Sequence, residues 1–238
     1  MKILAVDTAT EACSAALLID DAVASREALV MRGHAEHVLP MVDELLAEAG
    51  ISLRALDAIA FGRGPGAFTG VRIAVSIAQG LAFGAELPAV PVSDLAALGA
   101  RALERAAGEW PGAALEALVA LDARMAAVYC ARVRPHAALG VELLDEALAA
   151  PEGAFASALE PGRVRVAAGH GFSAYPELAS RLAPAVSATW TDLLPRAVEI
   201  ARLGARGFAA GLAVSAEAAV PVYLRDDVAQ QSGAKRPR

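Results

Sequence analysis

Nine residues hold the densest chemistry in the chain: Gly62–Gly70, reading GRGPGAFTG between a strand-like and a helix-like run. Gly62, Gly64, Gly66 and Gly70 remove side chains at four positions, so successive backbone N–H groups can face one point. The helix that follows adds its positive N-terminal end. That combination suits an anion, with Arg72 one turn into the helix as a cationic neighbour. The same glycines equally permit a tight turn and close helix packing. The loop is no P-loop, since Gly-Lys followed by Ser or Thr is absent, and it lacks the dinucleotide spacing. Asp7 and Asp122 each end an apolar strand-like run, where ligands approach open α/β sheets. Each can hold a metal–phosphate unit or position water. Thr8 and Arg124 follow them rather than a phosphate loop, so turn capping explains them equally well.

The histidines and cysteines offer less. His34 and His37 lie one helical turn apart, but a metal needs a third ligand, and HAEHV is not HExxH. Solvated residues at a helix start is the simpler reading. His136 and His170 have no sequence partner that makes either a catalytic base, and there is no G-x-S-x-G elbow. Cys13 and Cys130 give neither a metal tetrad nor a disulfide framework. The expectation is no metal, no cofactor and no catalytic set.

The elements that must position these residues follow from periodicity. Met1–Thr8, Cys13–Ile19 and Ala22–Met31 read as a meander of three strands. Val38, Met41, Val42, Leu45, Leu46 and Ala49 repeat at three and four, an amphipathic helix over 37–49 that tolerates Pro40 only in its first turn. Leu56–Phe61 is a strand, Val71–Phe83 a helix apolar nearly all round, and Leu87–Val92 a strand. Ser93 caps a helix running to about residue 107. The Gly108–Ala113 stretch marks a boundary, after which the opening repeats: LVALDARMAAVYCAR follows the pattern of ILAVDTATEACSAAL. Glu142–Glu160 reads as mixed helix and loop, Val164–Ala168 as a strand, Asp192–Ala210 as a helix and PVYL at 221–224 as a short strand. A polar tail follows, expected to be disordered after about Gln231.

Composition sets the class. The chain has 238 residues, 56% apolar and 20% charged, with net charge −6. This excludes disorder and argues against a basic surface for gripping nucleic acid. No window of about 18 residues is apolar and free of charge, and the start MKILAVDT is not a signal peptide. A cytoplasmic protein with no membrane association is expected. The second helix carries Ala74, Ala78 and Gly80, small residues that permit close helix approach, either to a partner or within the core.

ILAVDTAT, HAEHVLPMVDELL and above all FGRGPGAFTGVRIAVSIAQGLA resemble the bacterial TsaB family, also called YeaZ. LDARMAAVYCA, AGHGFSAYPEL, DLLPRAVEIA and PVYLRDD extend the resemblance in order over nearly the whole chain. It implies an α/β, two-lobed actin/Hsp70-like (ASKHA) ATPase fold with duplicated mixed sheets and flanking helices. The first lobe would span 1–107, completed by 214–230, and a smaller lobe 114–213, with a flexible tail at 231–238. It also implies a non-catalytic subunit that binds and activates TsaD. TsaD is the enzyme that moves a threonylcarbamoyl group onto N6 of adenosine 37 in tRNAs reading codons that start with A. TsaE, an ATPase, joins the pair, some members pair with themselves, and tRNA is met only through the complex. TsaD binds its metal through two helix histidines, and this chain has VSDLAALGARAL at that place, so no metal site carries over. His170 stands where a smaller polar residue, commonly Asn, is expected. The docking residues expected on the two first-lobe helices are Val38, Met41, Leu45, Val71, Val75 and Gln79. Gly64, Gly66 and Arg72, with Asp7, would shape the loop and any anion site beside them. The alternatives are a stand-alone ATPase or kinase of the same fold, which needs a phosphate cradle at both Asp7 and Asp122, and a metallopeptidase, which the ligand set disfavours.

Overall fold

A largely apolar run makes a central strand, and β1 (Lys2–Asp7) and β6 (Leu115–Asp122), the latter interrupted by Glu116, are two such runs, buried at nearly every position. The computed structural model describes residues 1–157 and 159–225. β1 pairs antiparallel with β2 (Ala12–Ile19), which pairs antiparallel with β3 (Ala22–Leu29). On its other edge β1 runs parallel to β4 (Ala58–Gly62), and β4 to β5 (Ala89–Val92). The second sheet repeats this plan. β6 pairs antiparallel with β7 (Val128–His136), β7 with β8 (Gly140–Ala149), and β6 runs parallel to β9 (Val164–Ala168) and β9 to β10 (Ala188–Trp190). Strand order and directions are the same in both sheets, so the expected duplication and two-lobed α/β plan hold.

Helices cover the sheets. α1 (His34–Ala49) and α2 (Phe68–Ala85) lie on one face of the first sheet, where Val38, Leu45, Val71 and Val75 meet Leu4, Val6, Ile59 and Phe61. Each such side chain contributes about 1.5–3 kcal/mol by burial. α2 is by length and composition apolar enough to cross a membrane, Arg72 notwithstanding, but its inner face is packed on the sheet. α3 (Asp94–Glu109) is capped by Ser93, whose hydroxyl accepts from the Ala96 N–H as expected. The short α4 (Gly171–Ala174) and α5 (Pro176–Leu182) pack on the second sheet, with Phe172 and Leu178 buried beside Leu118.

Several expectations need correction. α1 begins at His34, so Pro40 is its seventh residue rather than lying in the first turn. It sits on the exposed side, where water can reach the Glu36 carbonyl that a proline leaves without its N–H donor. The long helix starts at Ala197, not Asp192: Pro195 holds Leu194 out of helical geometry, and α6 (Ala197–Ala209) begins where Ser14 Oγ accepts its first N–H at 2.9 Å. The region 142–160 opens not with helix but with β8, whose alternation is broken by a bulge at Asp145, φ +54°. PVYL forms no strand. Val222 makes a single backbone bond to the Arg63 carbonyl, and the bridge to β5 comes from Val214 instead.

The division of helices between lobes also differs from the expected one. α3, expected in the first lobe, packs against the second sheet through Leu95, Leu98 and Leu103. α6, expected in the second, packs against the far face of the first sheet through Ala197, Ile200 and Ala201. Each lobe therefore takes a helix from the other's stretch of sequence. The part of the expected C-terminal segment and tail at 226–238 lies outside the described residues.

Candidate functional site

The glycine loop is built by close backbone approach. A Cβ on Gly66 would sit 2.5 Å from the Ala9 carbonyl oxygen, and one on Gly64 would sit 2.9 Å from that of Val222 at φ +95°. Only glycine lets the loop, the β1–β2 turn and the C-terminal segment share this space. Three of its N–H groups are bonded within the protein. Arg63 donates to the Val92 carbonyl, Gly64 to Asp94 Oδ2, and Ala67 to the Ala9 carbonyl. Of the donors expected to form an anion cradle, that of Gly64 is taken by the protein itself.

Asp7 does not face a cleft. It is fully buried and accepts the Ala9 N–H at Oδ1, and its carboxyl converges beside Gly62 with that of Asp94, the first residue of α3. Its counterpart Asp122 caps a turn, accepting from the Arg124 N–H at 2.8 Å and from the Tyr175 hydroxyl at 3.1 Å. Arg72 is exposed, with its guanidinium stacked 3.3 Å over the Phe68 ring and 5.0 Å from that of Tyr223.

Between the lobes opens a cleft of about 1050 Å³, walled by Thr10, His34 and Phe68 on one side and by Asp122, Arg124 and His170 on the other. The Asp122 N–H donates to His170 Nδ1 at 3.1 Å, so the neutral ring carries its proton on Nε2, 3.9 Å from Glu11 of the first lobe. Burial holds this imidazole below its usual range despite the pull of Glu11 and Asp122. His34 is bonded rather than solvated, its Nε2 lying 2.9 Å from the Thr10 carbonyl, while His37 is exposed. Two further contacts tie the lobes. Glu146 of β8 accepts from Ser93 Oγ at 2.6 Å and pairs with Arg63 at 3.2 Å, and Arg225 donates to the carbonyls of Ala123 and Arg124.

Compared with known proteins, the chain is 42% identical to the tRNA threonylcarbamoyladenosine biosynthesis protein TsaB of Escherichia coli strain K12, over 96% of each chain. The chain belongs to the TsaB family. The TsaB of Haemophilus influenzae is 38% identical over 96% of this chain and 95% of its own. The family model described as TsaD, tRNA N6-adenosine threonylcarbamoyltransferase, matches residues 26–232. Two solved structures from Pseudomonas aeruginosa, one described as similar to peptidase YEAZ and one as YeaZ, superpose with TM-scores of 0.81 and 0.79, at 41% and 40% identity, each covering 94% of this chain and 99% of the other. The actin-like two-lobed fold of TsaB and TsaD is therefore the fold here.

The residues expected to dock on the two first-lobe helices lie mostly inside the protein. Val38, Leu45, Val71 and Val75 are at most 4% exposed and belong to the core under α1 and α2. Met41 is half-buried against the same core, and Gln79 commits its side-chain N–H to the Ala219 carbonyl at 2.7 Å. None of the four buried side chains can touch a partner without unfolding. Ala74 and Ala78 also point inward. What points outward is Leu39 of α1 and, on α2, Phe83 with the small row Ser76, Gly80 and Gly84. A Cβ at either glycine would meet nothing within 4 Å. The sequence carried a signal for this row in its four-residue spacing, which the apolar periodicity of the buried face hides.

Proposed function

We propose that this chain is the accessory subunit of a threonylcarbamoyl transferase acting on tRNA, supplying no reacting group itself. It binds and activates a TsaD-like catalytic subunit, which a TsaE-like ATPase joins, so that the threonylcarbamoyl group reaches N6 of adenosine 37. It works in the cytoplasm and meets tRNA through the complex. The observation that carries this reading is identity of 42% to a threonylcarbamoyladenosine biosynthesis protein across 96% of both chains. Its chemistry is consistent: Asp7, Asp122 and the Gly64 amide, which a kinase of this fold would direct at phosphates, make bonds within the protein.

Docking uses the outward side of α1 and α2. Phe83, 70% exposed, and Leu39, 43% exposed, provide apolar anchors, and Ser76, Gly80 and Gly84 let a partner helix approach the α2 backbone closely. Without the partner, two copies would pair through the same side. Phe83→Glu is expected to weaken association with the TsaD-like subunit at least tenfold, about 1.4 kcal/mol, by burying an unpaired charge in the interface. Its own unfolding midpoint should stay within about 0.5 kcal/mol of the parent, as for other surface changes. Leu212→Glu, on an exposed site after α6, is the control and should bind normally. Unchanged affinity of the Phe83 variant, by titration calorimetry, would refute this docking side.

A further inference from the structure

Asp7 and Asp94 bring two carboxyl groups together in a dry interior. Both residues are fully buried. The Ala9 N–H donates to Asp7 Oδ1 at 2.8 Å and the Gly64 N–H to Asp94 Oδ2 at 2.5 Å. The remaining oxygens, Asp7 Oδ2 and Asp94 Oδ1, are buried and meet no N–H or O–H donor from any other residue. Both groups crowd the Cα of Gly62, where a Cβ would lie 2.4 Å from Asp94 Oδ1 and 2.9 Å from Asp7 Oδ1. The two carboxyls therefore converge on one point beside Gly62. Two bare carboxylates so placed would repel and lack solvation; a carboxylic acid facing a carboxylate satisfies both orphan oxygens with one short, charge-assisted bond.

We propose that Asp7 and Asp94 share one proton, and that this O–H···O bond fastens the start of α3 to the glycine loop. α3 belongs to the second lobe by packing, and Ser93 and Arg63 on either side of the pair hold Glu146 of β8. The pair therefore sits at the joint of the two lobes, and loss of its proton loosens that joint.

The charged surroundings agree. Burial pushes Asp7 up to about 6, against the Ala9 N–H, and Glu199 of α6 adds to the rise. Burial, then the Asp7 charge, raises Asp94 well above the carboxylate range, with Arg63 pulling the other way. Cys13 of β2, whose thiol donates to the His34 carbonyl, is pushed up to about 11 by burial and by the Asp7 charge. Both carboxyls thus bind protons more tightly folded than unfolded, where about 3.9 is normal. Stability from the pair is full below the unfolded value and is lost as pH rises through the folded ones, at most about tenfold in the folding constant per proton and pH unit.

The test is urea unfolding of the full chain from about pH 6 to about pH 8.5, for the parent and Asp94→Asn, which keeps an N–H donor toward Asp7. The parent's folding constant should fall by up to about tenfold per pH unit relative to the variant, since His170 and all other groups titrate alike in both. Parallel curves would overturn the proposal. Should the variant fail to fold, the infrared carbonyl band of a protonated carboxyl in the parent at neutral pH decides: its presence supports the shared proton and its absence refutes it.

Discussion

Gly70→Ala should cost the fold about 3–5 kcal/mol, although it adds one methyl to a helix. Gly70 is the third residue of α2, and a Cβ there would stand 2.0 Å from the Thr8 carbonyl oxygen and 3.5 Å from the Ala9 Cα. Both neighbours are backbone. Thr8 follows β1, which is paired on both edges, so the strand cannot withdraw. α2 must shift instead, and the bond that Thr8 Oγ1 donates to the Gly70 carbonyl at 2.7 Å goes with it. Gly80→Ala is the matched comparison. It lies on the open side of the same helix and should raise stability by up to about 1 kcal/mol, because alanine is the better helix former. Urea unfolding reads both. A Gly70 variant within about 1 kcal/mol of the parent would mean that the loop and helix are not fixed to the β1–β2 turn as described.

Glu116→Ala should be about as damaging, at about 3–5 kcal/mol, for an electrostatic reason. Glu116 is fully buried on β6 and is flanked by arginines from the two adjacent strands. Arg165 of β9 donates to Oε2 at 2.6 Å, and Arg134 of β7 to Oε1 at 2.8 Å. Arg165 is itself buried, its guanidinium also donating to the Glu160 carbonyl. Removing the carboxylate leaves two guanidinium groups facing each other across the sheet with their shared anion gone. Glu160, more than half exposed, pairs with Arg134 at 3.2 Å and with Arg163 at 3.4 Å, and cannot replace it. Retention of the parent's unfolding midpoint by the Glu116 variant would show that water reaches these arginines and that the cluster is peripheral to stability.

Much of the fold was legible because duplication and period reinforce each other. The two Asp-terminated runs became β1 and β6, each the centre of its sheet, and Ser93 capped its helix where expected. β8 was misread because its bulge at Asp145 breaks the two-residue alternation. Its counterpart β3, third in the first meander, shows that the repeat itself calls for a strand at that place. The exchange of α3 and α6 between sheets leaves no local signal, since an amphipathic helix does not encode which apolar sheet it will meet.

The proposed docking side shows the same limit from the other direction. Apolar periodicity at three and four finds the side of a helix that wants burial, and Val38, Leu45, Val71 and Val75 found it against their own sheet. A surface kept for a partner must stay soluble alone, so it is written in glycine, serine and a few isolated large residues such as Phe83. The Asp7–Asp94 pair was hidden for a different reason. Its members lie far apart in sequence, and only the close approach of Gly62 brings them to one point.

The central claim is that this chain is required for tRNA threonylcarbamoylation while contributing no reacting group. The most direct measurement is formation of threonylcarbamoyladenosine on a tRNA that reads a codon starting with A. A purified TsaD-like subunit, a TsaE-like ATPase and threonylcarbamoyl-adenylate would be combined with and without this chain. The account predicts product only when the chain is present, and undiminished product with Asp122→Asn, the one strand-end carboxylate at the cleft. Equal product without the chain, or product abolished by that substitution in a folded protein, would contradict it.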